Sequence, residues 1–313
     1  MRLKDKRVVI TGSSAGIGRS IAMKLAGEGA KIVINARGAA AVEAVVREIG
    51  EAGGLATGFA GSVDDEAVAQ NLVDHCVGAF GGIDILINNA AIFGPESIGP
   101  VDACPNDVWR QTLSVNLNGP FYLSKAALPH MKEQGWGRIV NASSMAGTGS
   151  LGGSAYSVSK AALIGLTRSM AADYGPYGIT VNAYNPEALT AMGDSHDSAS
   201  YEAFLLYLER RGLRTAQDTA YSKGVGGPEA IAPFVAYLCT DAADYLNGQV
   251  FAIESRRIAM LAMPEEQRSL FRDHARSGVW SIEELDLMAP MAFRVRNAWP
   301  RRTGQALQDW LAG

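Results

Sequence analysis

Val8-Val-Ile-Thr-Gly12-Ser-Ser-Ala-Gly16-Ile-Gly18-Arg-Ser-Ile-Ala22 is the stretch whose reading decides the fold. Its apolar start is a short buried strand, its glycines form a turn, and the residues from Gly16 onward begin a helix. Glycine lets the backbone approach a pyrophosphate closely. The helix N-terminus adds free N–H groups and the positive end of a dipole. At the first strand-to-helix junction of a chain this combination predicts a dinucleotide site.

Working outward, short runs rich in Val and Ile alternate with helical patterns. The predicted strands are Arg7 to Thr11, Lys31 to Asn35, Leu55 to Ala60, Ile83 to Asn88, Gly137 to Ser143, Ile179 to Tyr184 and Gln249 to Ile253. Continuous apolar strands are buried on both faces, which calls for a parallel sheet with helices on each side. The fold class expected is therefore α/β, a doubly wound parallel sheet. The predicted helices are Gly16 to Glu28, Ala39 to Ala52, Asp64 to Phe80, Asp107 to Gln134, Ser154 to Tyr174 and Pro228 to Thr240. The alternation implies one domain over residues 1–255. A polar, Ser-rich insertion at 187–227 interrupts it, and an extension at 256–313 follows.

Composition narrows the partners. A net charge of -4 over 313 residues gives no basic field for nucleic acid. Cys76, Cys104 and Cys239 are far apart and lack metal-site or disulfide-framework spacing, so no metal is expected. No apolar run approaches the ~18 residues a membrane span needs. Met1-Arg-Leu-Lys-Asp-Lys-Arg7 passes into a strand without a signal-peptide pattern, and a cytoplasmic setting is expected.

Tyr156 and Lys160 lie four residues apart on one predicted helix face. An ammonium beside a phenol favours the phenolate, and such a phenol exchanges a proton with an alkoxide. In random order a pair of this spacing arises about a quarter of the time, so its surroundings must carry the argument. Ser143 and Ser144 end the preceding strand, where a hydroxyl can steady a substrate carbonyl or simply form a turn. Asn88-Asn-Ala-Ala91 ends another strand on the carboxyl edge. Asn116 falls inside a predicted helix, where its propensity is poor; it either bends the helix and holds a water near Lys160 or is a half-exposed helical residue.

Together these residues resemble the short-chain dehydrogenase/reductase family over about residues 4 to 254. The resemblance rests on Thr11-Gly-x-x-x-Gly-x-Gly18, Asn88-Asn-Ala90, Asn116, Ser143-Ser144, Tyr156-x-x-x-Lys160, Asn182-Ala-x-x-Pro186, Gly227-Pro-Glu229 and Gly248-Gln-Val250. It implies a Rossmann fold and an oxidoreductase that interconverts a secondary alcohol and a ketone by hydride transfer. It implies a catalytic set of Asn116, Ser144, Tyr156 and Lys160: Tyr156 as acid/base, Lys160 lowering its pKa and holding the ribose, Ser144 orienting the carbonyl, and Asn116 anchoring a relay water. Family spacing fits Ser143, whereas the Ser-x-x-Gly147 pattern fits Ser144, and Ser144 is taken. Cofactor contacts are implied at Gly12, Ser14, Gly16, Ile17, Gly18, Arg37, Ser62, Val63, Asn89, Ala90, Tyr156, Lys160, Pro186 and Thr190. Ala91 stands where the family has a glycine, Ser62 where it has an aspartate, and Glu187 where it has the glycine after Pro186.

Lys31 to Arg37 ends without a carboxylate that would repel a 2'-phosphate, and Arg37 can pair with one, so NADP(H) is favoured with NAD(H) open. In the insertion, Tyr201, Phe204, Leu205 and Leu208 repeat at helical spacing. The resemblance makes that region a substrate cover, with Ser144, Glu187, Met192, Tyr201, Phe204 and Phe93 facing a small carbonyl or alcohol substrate. The extension holds a capping-box pattern at Trp280-Ser281-Ile-Glu-Glu284. A homo-dimer or homo-tetramer is expected from the resemblance. Two rival functions remain: a catalytically silent dinucleotide-binding regulatory protein, and a dehydratase or epimerase on the same fold.

Overall fold

The computed structural model describes residues 1–149, 153–188 and 226–262, with 206, 209, 215, 269–270 and 280–293. Two compact units emerge, Met1–Leu261 and Ala262–Gly313.

In the first unit the sheet runs in the order β3-β2-β1-β4-β5-β6-β7-β8. The strands are β1 (Arg7–Ile10), β2 (Lys31–Ala36), β3 (Leu55–Ala60), β4 (Ile85–Asn88), β5 (Gly137–Ala142), β6 (Ile179–Pro186), β7 (Val250–Glu254) and β8 (Arg257–Met260). The first seven pair in parallel and β8 returns antiparallel on β7. This is a doubly wound Rossmann fold. The order reverses between β1 and β4, and the crevice outside the carboxyl ends at such a switch point is where ligands bind. β8 lies in the stretch that the sequence pattern assigned to the extension.

The helices are α1 (Gly16–Gly27), α2 (Ala39–Glu51), α3 (Glu66–Phe80), α4 (Asn106–Leu113), α5 (Gly119–Gln134), α6 (Ala155–Tyr174) and α7 (Ala232–Leu238). Side chains of β-strands alternate between faces, and two buried layers result. Val8, Ile10, Ile32, Ile34, Ile85, Ile87, Val140, Phe251 and Ile253 pack against α1, α2 and α7. Val9, Val33, Leu86, Ile139, Ile179 and Val181 pack against α3, α5 and α6. β5 is buried along its whole length, which explains its unbroken apolar pattern.

The single helix expected over Asp107 to Gln134 is instead α4 and α5 joined by a π turn at Ser114–Asn118. An inserted π turn accommodates a residue whose side chain is needed off the helical path, and such turns cluster at functional sites. Asn116 sits in its middle. In the second unit α8 (Ile282–Phe293) begins with the expected reciprocal cap: the Ser281 N–H donates to Glu284 (2.9 Å) and the Glu284 N–H to the Ser281 hydroxyl (3.2 Å).

Candidate active site

The glycine turn after β1 is locked to the end of β4. The Asn89 amide donates to the carbonyls of Thr11 (2.9 Å) and Gly12 (3.0 Å), while the N–H groups of Asn89 and Ala90 donate to the Thr11 hydroxyl (3.1 and 3.0 Å). The buried Tyr184 hydroxyl donates to the Asn89 side chain (3.0 Å). A Cβ at Gly12 would lie 2.8 Å from the Ala90 Cα, and one at Gly18 would collide with the Gly12 carbonyl. At Gly16, with φ +55°, a Cβ would meet nothing within 4 Å. The turn is therefore packed shut behind Gly12 and Gly18 and open at Gly16. Ala15, at the N-cap of α1, makes no side-chain capping bond, so the first N–H groups of the helix are left for an anion. This cradle fits a pyrophosphate.

Ser14 and Ile17 line the same turn as half-buried residues, Ile17 packing on the adjoining core. Arg37 is exposed just beyond β2. The Ser62 hydroxyl bonds Asp64, and with Gln111 (Nε2 to Oδ2 3.0 Å) and the charge of Arg37 it holds that carboxyl below its usual range. Asp64 was not singled out from the sequence. The Val63 side chain is buried in the core and leaves only backbone toward the crevice. Ala91 causes no strain, since among the described non-glycine residues only Asp5 has a positive φ.

Catalytic candidates converge where β5 meets α6. The Ser143 hydroxyl is buried and donates to the Lys160 carbonyl (2.8 Å). The Ser144 hydroxyl accepts from the Ala146 N–H (3.2 Å) and hydrogen-bonds Tyr156. Adjacent serines point to opposite sides of a strand end, so the structure gives the two hydroxyls separate tasks. The Gly147 N–H donates to the Ser144 carbonyl (2.9 Å), and a Cβ at Gly147 would lie 2.8 Å from the Lys160 backbone. That close approach is the physical reason for a glycine three residues after the serine.

Lys160 is buried, and its amine donates to the Ala142 carbonyl (2.7 Å) and lies 5.7 Å from the Tyr156 ring centre. Burial pushes its pKa down to about 7. Burial also pushes the Tyr156 hydroxyl up, with the Ser144 bond pulling against it. The expected lowering of Tyr156 by an ammonium is thus overridden in the unliganded chain: desolvation disfavours both charged forms. Phe93 packs edge-on against Tyr156, ring centres 4.9 Å apart.

The Asn116 side chain accepts from the Ile92 N–H (2.8 Å) and donates to the Ile92 carbonyl (2.9 Å) and the Ser159 hydroxyl (3.2 Å). Ser159 in turn donates to the Tyr156 carbonyl (2.7 Å). Asn116 therefore fixes both the segment that carries Phe93 and the first turn of α6. Pro186 ends β6, and the Glu187 N–H extends the ladder to the Ile253 carbonyl (2.9 Å). Thr190, Met192, Tyr201 and Phe204 lie outside the described residues.

A family model for short chain dehydrogenase matches residues 6–199. The chain belongs to this family. It is 34% identical over 254 residues to the (2S)-[(R)-hydroxy(phenyl)methyl]succinyl-CoA dehydrogenase subunit BbsD of Thauera aromatica, covering 81% of this chain and 96% of that one. It is 34% identical over 255 residues to the 3-oxoacyl-[acyl-carrier-protein] reductase of Aquifex aeolicus, covering 81% and 97%. A short chain dehydrogenase of Burkholderia cenocepacia, solved in complex with NADP, superposes with a TM-score of 0.68 at 33% identity, covering 82% of this chain and 98% of that one. The chain is an NAD(P)(H)-dependent oxidoreductase that interconverts a secondary alcohol and a ketone. No helix among the described residues is long and apolar enough to cross a membrane.

The separate tasks of the paired serines make one prediction. Ser143→Ala removes a buried hydrogen bond to the Lys160 carbonyl, which keeps its helical partner, and is expected to lower unfolding free energy by about 0.5–1.5 kcal/mol. Ser144→Ala, measured beside it by urea denaturation, is expected to cost less; the reverse ranking would contradict the assignment.

Proposed function

We propose that Tyr156 is the proton donor and acceptor in this interconversion, with Ser144, Lys160 and Asn116 as its helpers. The observation that carries the reading is the hydrogen bond between Ser144 and Tyr156, set in front of a buried lysine amine. When bound, the nicotinamide exchanges a hydride with the substrate carbon. The Ser144 hydroxyl holds the substrate oxygen as charge develops on it, and Tyr156 Oη delivers the proton. Reduction leaves a phenolate, which a charged Lys160 stabilises. With Lys160 held at about 7, that support is present below about pH 7 and fades above it. Reduction, which ends on that supported phenolate and consumes a proton, therefore gains from lower pH. Asn116 acts as a positioning residue through its side chain and anchors a relay water near Lys160.

For the cofactor, the turn at Gly12, Ser14, Gly16, Ile17 and Gly18 takes the pyrophosphate, and Arg37 with Ser62 and the Val63 backbone takes the adenosine end. Asn89, Ala90, Tyr156, Lys160, Pro186 and Thr190 take the nicotinamide end. NADP(H) is preferred over NAD(H). The support is an exposed Arg37 at the end of β2, with no carboxylate in that strand to repel a 2'-phosphate.

Residues 1–255 form the catalytic domain, 187–227 cover the substrate with Met192, Tyr201 and Phe204, and 256–313 extend the domain. The chain works as a homo-dimer or homo-tetramer in a reducing cytoplasm. Supporting this are Phe121 on α5 and Val158 on α6, 46% and 43% exposed, and the buried thiols of Cys76 and Cys239, both pushed up to about 12.

Tyr156→Phe is expected to cut kcat by about 10²–10⁴ while NADPH still quenches or shifts protein fluorescence as in the parent. Undiminished ketone reduction would remove Tyr156 from the mechanism. Arg37→Ala is expected to weaken NADPH binding by about 10- to 100-fold, the worth of a charge-assisted bond, and to leave NADH binding nearly unchanged. Equal losses for both cofactors, in a fluorescence titration, would contradict the phosphate contact.

A further inference from the structure

Tyr184 places a hydroxyl in the buried layer that also holds Ile87, Ala142 and Phe251, and the chemistry proposed at Tyr156 makes no use of it. The residue is 0% exposed. A buried phenol needs a hydrogen-bond partner. This one finds it at Asn89, just past the end of β4, two strands away in the order β4-β5-β6 (3.0 Å). Neighbouring strands lie about 4.8 Å apart, so the side chain has to cross β5 to get there. Ala142, which pairs with Tyr184 in the same layer, carries only a methyl group and leaves the ring room to pass.

One orientation of the Asn89 amide suits its partners. Its nitrogen donates to the Thr11 and Gly12 carbonyls, so its oxygen faces away from them and needs a donor of its own. Tyr184 is that donor. Burial pushes the Tyr184 hydroxyl above its ordinary range, which keeps the proton on it. The other end of the residue is held as well, because the Tyr184 carbonyl accepts from the Ser143 N–H (2.8 Å). The Asn89 amide also occupies the space that a side chain at Gly12 would need: a Cβ there would lie 3.2 Å from its nitrogen. An amide turned the other way would set its oxygen against two carbonyl oxygens and lose both bonds to the turn.

We infer that Tyr184 is a positioning residue for the dinucleotide: its hydroxyl locks the Asn89 amide, which holds the Thr11–Gly12 backbone in the shape that receives the pyrophosphate. The inference rests on the glycine turn being the pyrophosphate cradle. Tyr184 acts through Asn89, not by contact with the cofactor. The pyrophosphate is common to both dinucleotides, so Tyr184 supports NADPH and NADH alike, whereas Arg37 separates them.

The test titrates the full chain with NADPH and NADH by fluorescence. Tyr184→Phe keeps the ring and removes the hydroxyl, and is expected to raise Kd for both cofactors by about three- to tenfold, the worth of one hydrogen bond. In an Asn89→Ala background, or Asn89→Leu should Ala fail to fold, the same change is expected to add nothing further. The Asn89 side-chain amide signals in a ¹⁵N NMR spectrum, identified by their loss in the Asn89 variant, are expected to shift in Tyr184→Phe. Unchanged Kd values beside a lowered melting temperature, an equal loss with and without Asn89, or unshifted amide signals would overturn the role of Tyr184. Gly16→Asp separates this from the cradle beneath it, since a Cβ there meets nothing within 4 Å, aspartate tolerates the φ of +55°, and its charge repels a pyrophosphate. Cofactor affinity unmoved in Gly16→Asp overturns the cradle and the inference together; affinity lost there but kept in Tyr184→Phe overturns the inference alone.

Discussion

The clasp between the end of β5 and the first turns of α6 is the constraint on which the rest of the site depends. Lys160 closes it from both sides: its amine donates to the Ala142 carbonyl, and its own carbonyl accepts from Ser143. Neither bond touches a reacting atom. Each fixes the distance between a strand end and a helix start, and so places the Ser144 hydroxyl against Tyr156. Gly147 allows the clasp to close, because a side chain there would meet the Lys160 backbone. Asn116 braces α6 through Ser159 and the segment with Phe93 through Ile92. The active site is thus assembled from side-chain to main-chain bonds between rigid elements, which suits chemistry that needs preorganised geometry.

Much of the fold was legible because the sheet is buried on both faces. Unbroken runs such as Ile85 to Asn88 and Gly137 to Ala142 can only be central parallel strands. The glycine turn was equally legible, since Gly12, Gly16 and Gly18 each answer to a close approach or a positive φ. The π turn at Asn116 was not, because a π turn and an α-helix share one apolar periodicity and differ by a single inserted residue. The choice between Ser143 and Ser144 turned on face, and a one-residue step reverses face in a strand. Strand β8 escaped notice because Arg257–Met260 is a short, exposed edge strand without the apolar signature of the interior ones. Asp64 was missed because its bond to Gln111 and the charge of Arg37 reach it from segments far away in sequence.

Electrostatics sharpen what geometry assembles. A buried lysine whose amine donates to one backbone oxygen, that of Ala142, keeps a hydrogen bond but loses the water that would stabilise its charge. Its pKa falls to about 7, into the range where general acids and bases work. Tyr156, raised by the same burial, stays protonated until charge appears nearby. The central claim is therefore that burial brings the charge of Lys160 into play near neutrality. An NMR titration of the unliganded chain carrying ¹³Cε-labelled lysine tests it most directly. The account predicts one lysine signal with a midpoint of about 7 that disappears in Lys160→Met. A spectrum in which every lysine titrates near ~10.4, the value in water, would contradict it.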